Sequence, residues 1–237
     1  MFADDEVDAI FCVRGGDGGN RAMGYIDEDI IRNNPKIFVG YSDVTSMHLL
    51  FNQRCNLVTF HGPMGSSNMV DEFDDETRES LIRALTAEGD LEFVNPKRRD
   101  IKVFREGKAN GRIVGGNLTL LTASMGTWYE VDTDGCILFI EDVHGDMEEI
   151  DRDLYVLRNS GKLRQAKGLL VGQFTDCVNR HEENFGLMDV VEDAMEDIDI
   201  PVMYNIQSGH GFPMMTIPMG EECSIDTSDK SIIFHMR

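Results

Sequence analysis

Four short stretches of this chain set reactive side chains or glycines at the ends of apolar runs. Gly40-Tyr41-Ser42-Asp43 follows the apolar run Lys36–Val39 and precedes an amphipathic segment, Val44–Gln53. A serine between a strand and a helix has the setting of a nucleophile elbow, and the helix start offers free backbone N–H groups to a developing negative charge. The motif lacks the closing glycine of G-x-S-x-G, and Ser42 can equally be read as the N-cap of that helix. Arg14-Gly15-Gly16-Asp17-Gly18-Gly19 follows another apolar run, Asp8–Val13. It is not a dinucleotide fingerprint, because Arg21 stands where the third glycine belongs, and no Lys-Ser/Thr pair follows to make a P-loop. Two such turns at the carboxyl edge of one parallel sheet would be neighbours. A glycine N–H of the first could then serve a nucleophile on the second.

The run Ile137–Ile140 ends in Glu141 and Asp142. A carboxylate there either caps locally or orients a histidine, as the acid of a Ser-His-acid set does. Ser208-Gly209-His210-Gly211 places a histidine between glycines, which suits plain surface structure or an imidazole brought to a partner. The other histidines (His48, His61, His144, His181 and His235) have no comparable setting, although His61 ends an apolar run. No HxH or HExxH spacing occurs, so no metal site is expected. Cys12, Cys55, Cys136, Cys177 and Cys223 are odd in number and form no CxxC pair, which points to small core residues rather than a disulfide framework.

These residues need elements to hold them. Asp8–Val13, Lys36–Val39 and Leu57–Phe60 read as strands, with helices over Arg21–Asn33 and Val44–Gln53 between them. That alternation implies a parallel sheet with right-handed crossovers. The second half carries strands at Arg112–Val114, Cys136–Ile140, Gly168–Gly172, Ser224–Asp226 and Ser231–His235. Helices fit Leu118–Met125, Ile150–Ser160 and Leu187–Ile198. The expected fold class is α/β: a Rossmann-like parallel α/β domain over residues 1–68, a linker region over 69–110 and an α+β domain over 111–237.

Composition narrows the function. With 237 residues the chain can bury a sizeable core, and a formal net charge of −21 makes nucleic acid a poor partner. The acidic stretches Asp71–Glu79 and Glu192–Asp199 read as solvated surfaces. No apolar run approaches the length of a membrane span, and no leader precedes Asp4, so a cytoplasmic location away from membranes is expected.

The stretches DAIFCVRGGDGGNRAMGYID, NPKIFVGYSDVTSMHL, TFHGPM, GRIVGGNLTLL, ILFIEDVHGDMEEIDRDL and GHGFPMMTIPMG together resemble the LD-carboxypeptidase family of serine peptidases, which also holds the microcin C immunity hydrolases. They run in the family's order along nearly the whole chain. The resemblance implies Ser42 as nucleophile, Glu141 and His210 as its triad partners, and an oxyanion hole from the N–H groups of Gly16 and Asp43. It implies a C-terminal domain around a small, partly barrel-like sheet, no cofactor, and a homodimer. The implied substrate is a murein tetrapeptide that loses its terminal D-alanine. The GTWYE stretch around Trp128 and the EDVHGDMEEIDRDL segment look closer to the carboxypeptidase branch than to the immunity branch, and Trp128 either stacks on a ligand or joins the core. Alternatives are hydrolysis of peptide-nucleotide or aminoacyl-adenylate analogues, or an inactive relative. The family begins with a further strand and helix that this chain lacks, so its first domain is expected to be short by one unit.

Overall fold

The structure, a computed structural model, describes residues 1–70, 73–180 and 186–236; His181, Asp71 and Glu72 lie outside them. In the first sheet β1 (Ala9–Phe11), β2 (Ile37–Gly40) and β3 (Thr59–His61) run parallel, with Val39 opposite Phe60. The helix expected over Arg21–Asn33 is broken. After α1 (Gly19–Ala22) the chain makes a 3-10 turn at Met23–Tyr25, and α2 (Glu28–Asn33) starts afresh. Asp27 is the reason: its carboxylate accepts from the N–H groups of Asp29 and Ile30 and nucleates a new helix start. From β2 the chain passes through α3 (Thr45–Arg54) into β3, close to the expected span.

The segment expected to link the halves carries α4 (Asp75–Thr86), capped by Asp74, and two strands, β4 (Gly89–Glu92) and β5 (Lys102–Arg105). Beyond it come β6 (Lys108–Asn117), α5 (Leu118–Ala123), β7 (Ile137–Val143), α6 (Met147–Asn159), α7 (Lys162–Gln165), β8 (Gly168–Thr175) and α8 (Leu187–Ala194). The strands β9 (Val202–Tyr204), β10 (Ile217–Met219), β11 (Glu222–Asp226) and β12 (Ser231–Met236) complete the order. Eight of them form one mixed sheet, β4-β12-β11-β6-β7-β8-β9-β5, parallel from β6 to β9 and antiparallel on both flanks. It curls into an open half-barrel, the second part of the expected α/β fold class.

The strand β10 joins the first sheet instead, antiparallel to β3 with Ile217 opposite His61. Pro218 in its middle hides it from a sequence reading, since proline is tolerated only at a sheet edge, where β10 lies. One apolar core unites the two sheets. Val39, Phe60 and Ile217 of the first pack with Ile113, Phe139 and Phe234 of the second. On the far face, α5, α6 and α8 cover the parallel strands through Leu121, Leu154 and Val191. All but the last residue of β7 is buried, so the strand is walled on both sides and its carboxyl end is fixed.

Candidate active site

Ser42 sits at φ 65°, a left-handed conformation that costs a non-glycine residue about 1–2 kcal/mol. It opens a 3-10 turn, Ser42–Val44, that runs into α3. The caps of these two segments are Tyr41 and Val44, and no side chain serves either, so Ser42 is not an N-cap. The geometry is instead that of a strained turn which lifts a hydroxyl clear of the strand end.

The glycine-rich loop lies against this turn. A Cβ on Gly15 would stand 2.9 Å from both Cβ and Oγ of Ser42 and 3.7 Å from Asp43 N, so no larger residue fits there unmoved. The Asp43 carboxylate holds the loop in place, its Oδ2 accepting from Gly18 N at 3.0 Å and Gly19 N at 2.7 Å. Ser46, one turn into α3, donates to Asn20 Oδ1 at 2.6 Å. The two strand-end turns are thus neighbours, as their places in a parallel sheet require.

Glu141 is fully buried at the end of β7, and its Oε2 meets His210 Nδ1 at 2.6 Å. An ionised carboxylate can only accept, so Nδ1 carries the proton and Nε2 is left as an acceptor. Burial pushes the Glu141 carboxyl above its ordinary range, and the His210 imidazole opposes that rise. The adjacent acid does different work. Asp142 accepts from Asn117 Nδ2 at 2.9 Å, from Thr119 N and Oγ1 at 3.0 and 2.9 Å, and from Val143 N at 2.8 Å, which anchors the start of α5. A register shift in the β7–β8 pairing between Ile140 and Asp142 accompanies this division.

Sequence reasoning passed over the clamp on the histidine loop. Gln173 of β8 accepts from Gly211 N through Oε1 at 2.9 Å and donates through Nε2 to Pro213 O at 3.2 Å. The available signal was one polar residue inside the apolar run Gly168–Phe174. The Tyr41 ring packs edge-on against His210 at 4.8 Å, and His61 stands behind Tyr41 at 5.9 Å. His61 is fully buried; burial first, then His48 and His210 nearby, hold its pKa well below the usual histidine range.

Ser42 and His210 line one open cleft of about 430 Å³, together with Gly15, Gly16, Tyr41 and His144. The elbow, the glycine loop and the Glu141–His210 pair therefore converge, although they come from both halves of the chain. Trp128 lies elsewhere, half exposed, with the Arg54 guanidinium 5.7 Å from its ring and Tyr129 against its edge at 5.5 Å. Among the described residues no His, Cys, Asp and Glu side chains group in a way that could hold a metal ion, and no helix is long and apolar enough to cross a membrane.

Comparison with known proteins places the chain in a family. The LD-carboxypeptidase N-terminal domain matches residues 1–62, and the LD-carboxypeptidase C-terminal domain matches residues 110–225. The probable murein peptide carboxypeptidase of Bacillus subtilis (strain 168) is 39% identical over 235 residues, which cover 98% of this chain and 73% of that protein. The microcin C7 self-immunity protein MccF, in its wild-type apo state, superposes with a TM-score of 0.91 at 25% identity, over 99% of this chain and 77% of that one. The muramoyltetrapeptide carboxypeptidase from Oxalobacter formigenes superposes with a TM-score of 0.85 at 25% identity, over 97% and 79%. With both domain families matched in order and a relative 39% identical along 98% of this chain, this chain belongs to the LD-carboxypeptidase family of serine-type peptidases.

Proposed function

We propose that this chain is a serine carboxypeptidase that cleaves the L,D-amide bond of a murein tetrapeptide and releases its terminal D-alanine. The observation that carries the reading is the 2.6 Å Glu141–His210 pair in a cleft shared with the strained Ser42 turn. The relatives named as murein peptide and muramoyltetrapeptide carboxypeptidases support the substrate class.

In the proposed mechanism Ser42 Oγ attacks the scissile carbonyl while His210 Nε2 takes its proton. Glu141 holds the imidazole in the tautomer that leaves Nε2 free and stabilises the imidazolium. The backbone N–H groups of Gly16 and Asp43 receive the oxyanion, each worth about 3 kcal/mol by analogy with other acyl-transfer sites. His210 then protonates the departing amine of D-alanine. Water, deprotonated by the same imidazole, hydrolyses the acyl-Ser42. No step calls for a group beyond these side chains and amides. On this reading the enzyme acts in the cytoplasm on peptides returned from the wall, and as a homodimer.

The test is D-alanine release from a diaminopimelate-containing murein tetrapeptide, with Ser42→Ala as control. Release that the variant abolishes supports both substrate and nucleophile. A well-folded chain that releases none overturns the substrate assignment. The resemblance to MccF favours a second reading, hydrolysis of a peptide-nucleotide or aminoacyl-adenylate analogue. Cleavage of an aminoacyl sulfamoyl nucleoside faster than of the tetrapeptide would establish that reading in place of the first.

A further inference from the structure

A second serine–histidine–carboxylate relay lies on the outer face of the half-barrel sheet. Ser224 Oγ and His235 Nε2 are 2.6 Å apart, and His235 Nδ1 meets Asp90 Oδ1 at 2.7 Å. The three residues sit on three adjacent strands, β11, β12 and β4. Strand alternation explains why they share a face: Cys223, Ile225, Ile232 and Phe234 turn into the core, so Ser224 and His235 turn outward. Register places His235 directly opposite Asp90 and Ser224 directly opposite Ile233, so the Ser224–His235 contact is the diagonal one.

The tautomer follows from the partners. The Asp90 carboxylate accepts only, so Nδ1 carries the proton, and Nε2 is the acceptor for the Ser224 hydroxyl. This is the donor order by which a histidine activates a serine. On the other side of Ser224, Asn110 of β6 is its direct register partner and is solvent-exposed. Directly opposed residues of an antiparallel pair bring their Cβ atoms to within about 5 Å. A carboxamide at that distance can donate to an oxyanion formed at Ser224, as asparagine does in acyl-transfer sites. Asn110, Ser224, His235 and Asp90 thus form one row across four neighbouring strands.

We infer that Ser224 is a second nucleophile, activated by His235 and Asp90 and independent of the cleft, and that it takes small esters with good leaving groups. The side chains of His235 and Asp90 are 42% and 70% exposed, so the site is an open surface that suits a small acyl donor rather than a peptide. The step is an acyl transfer. Ser224 Oγ bonds to the carbonyl carbon, its proton passes to Nε2, and the bond from the carbonyl carbon to the ester oxygen breaks with its electron pair leaving on the aryloxide. The imidazolium returns its proton to solvent, and water then releases the acid and restores the hydroxyl.

The experiment uses the full chain carrying Ser42→Ala, with p-nitrophenyl acetate as probe. Nitrophenolate release is followed by absorbance, and acetylated sites are mapped by mass spectrometry. The expected result is acetylation at Ser224 that falls at least tenfold with His235→Gln and severalfold with Asn110→Ala or Asp90→Asn, while lysine acetylation stays unchanged. The Asp90 and Asn110 variants alter exposed side chains, so they report on the relay even if His235→Gln disturbs the sheet. Acetylation confined to lysines and the amino terminus would overturn the inference. So would Ser224 labelling that is insensitive to all three substitutions.

Discussion

A Cβ added to Gly209 would stand 2.9 Å from Glu141 Oε2, the same oxygen that His210 Nδ1 meets at 2.6 Å. The glycine before the histidine is therefore what lets backbone and carboxylate come this close, and its φ of +140° is a second reason for glycine.

Gly209→Ala should displace the imidazole from Glu141. The expected outcome is a fall in kcat of about 100-fold, with a stability loss of about 1–3 kcal/mol from the strained backbone and the overlap. Steady-state kinetics beside urea unfolding separates the two effects. An unchanged kcat would show that the loop re-forms the pair without glycine.

Asp43 connects the elbow to the glycine loop through Gly18 and Gly19. Replacing it with Asn removes the charge that strengthens both hydrogen bonds, and charge-assisted bonds are roughly twice as strong as neutral ones. The loop carrying the proposed Gly16 donor should loosen. We expect kcat to fall by about 10- to 100-fold with KM changed less than threefold, because the donor acts on the transition state. A loss confined to KM would place the loop in substrate binding instead.

The left-handed backbone at Ser42 makes a stability prediction of opposite sign to the activity one. Ser42→Gly should abolish peptide cleavage yet stabilise the chain by about 0.5–1 kcal/mol, since relief of strain exceeds the extra freedom of the unfolded glycine. Ser42→Ala keeps the strain and should leave stability near that of the parent. Denaturant midpoints of the three proteins decide it.

His48 and His61 are buried and neutral in the fold. Burial lowers the His48 pKa to about 4 despite its bond to the Gly40 carbonyl, and that of His61 falls well below the ordinary value of 6.5. Unfolding lets both take up protons, so their stabilisation is complete above pH 6.5 and is lost as pH falls, for His48 through the window from 6.5 to about 4. Each such group adds about 1.4 kcal/mol per pH unit to the slope. Glu141 has the opposite sign: its raised pKa favours folding at low pH, and that contribution is lost as pH rises through the folded value. A series of unfolding midpoints from pH 7 to 4 should fall steeply, and His48→Gln should flatten the slope by about one proton.

The sequence alone determined the pieces of the site and the order of the first sheet. Alternating strand and helix over Asp8–Phe60 admits only a parallel arrangement, and it is enough to bring the Ser42 turn and the glycine loop to one edge. Glu141 and His210 were legible as single residues because a charge ending an apolar run and a histidine between glycines are local signals. Their meeting was implied only by the family resemblance and by no local pattern. The 2.6 Å contact spans 69 residues and depends on β7 lying inside the half-barrel and on Gln173 bending the loop back. The resemblance assigns Glu141 rather than Asp142, and the physical reason lies in the structure, where hydrogen bonds from Asn117 and Thr119 claim Asp142. The strand β10 escaped notice because proline breaks the local pattern, while its partner β3 lies more than a hundred residues earlier. The row from Asn110 to Asp90 was invisible for the same reason. Cross-strand neighbours are set by register, and register is fixed by which faces bury together, which no local stretch encodes.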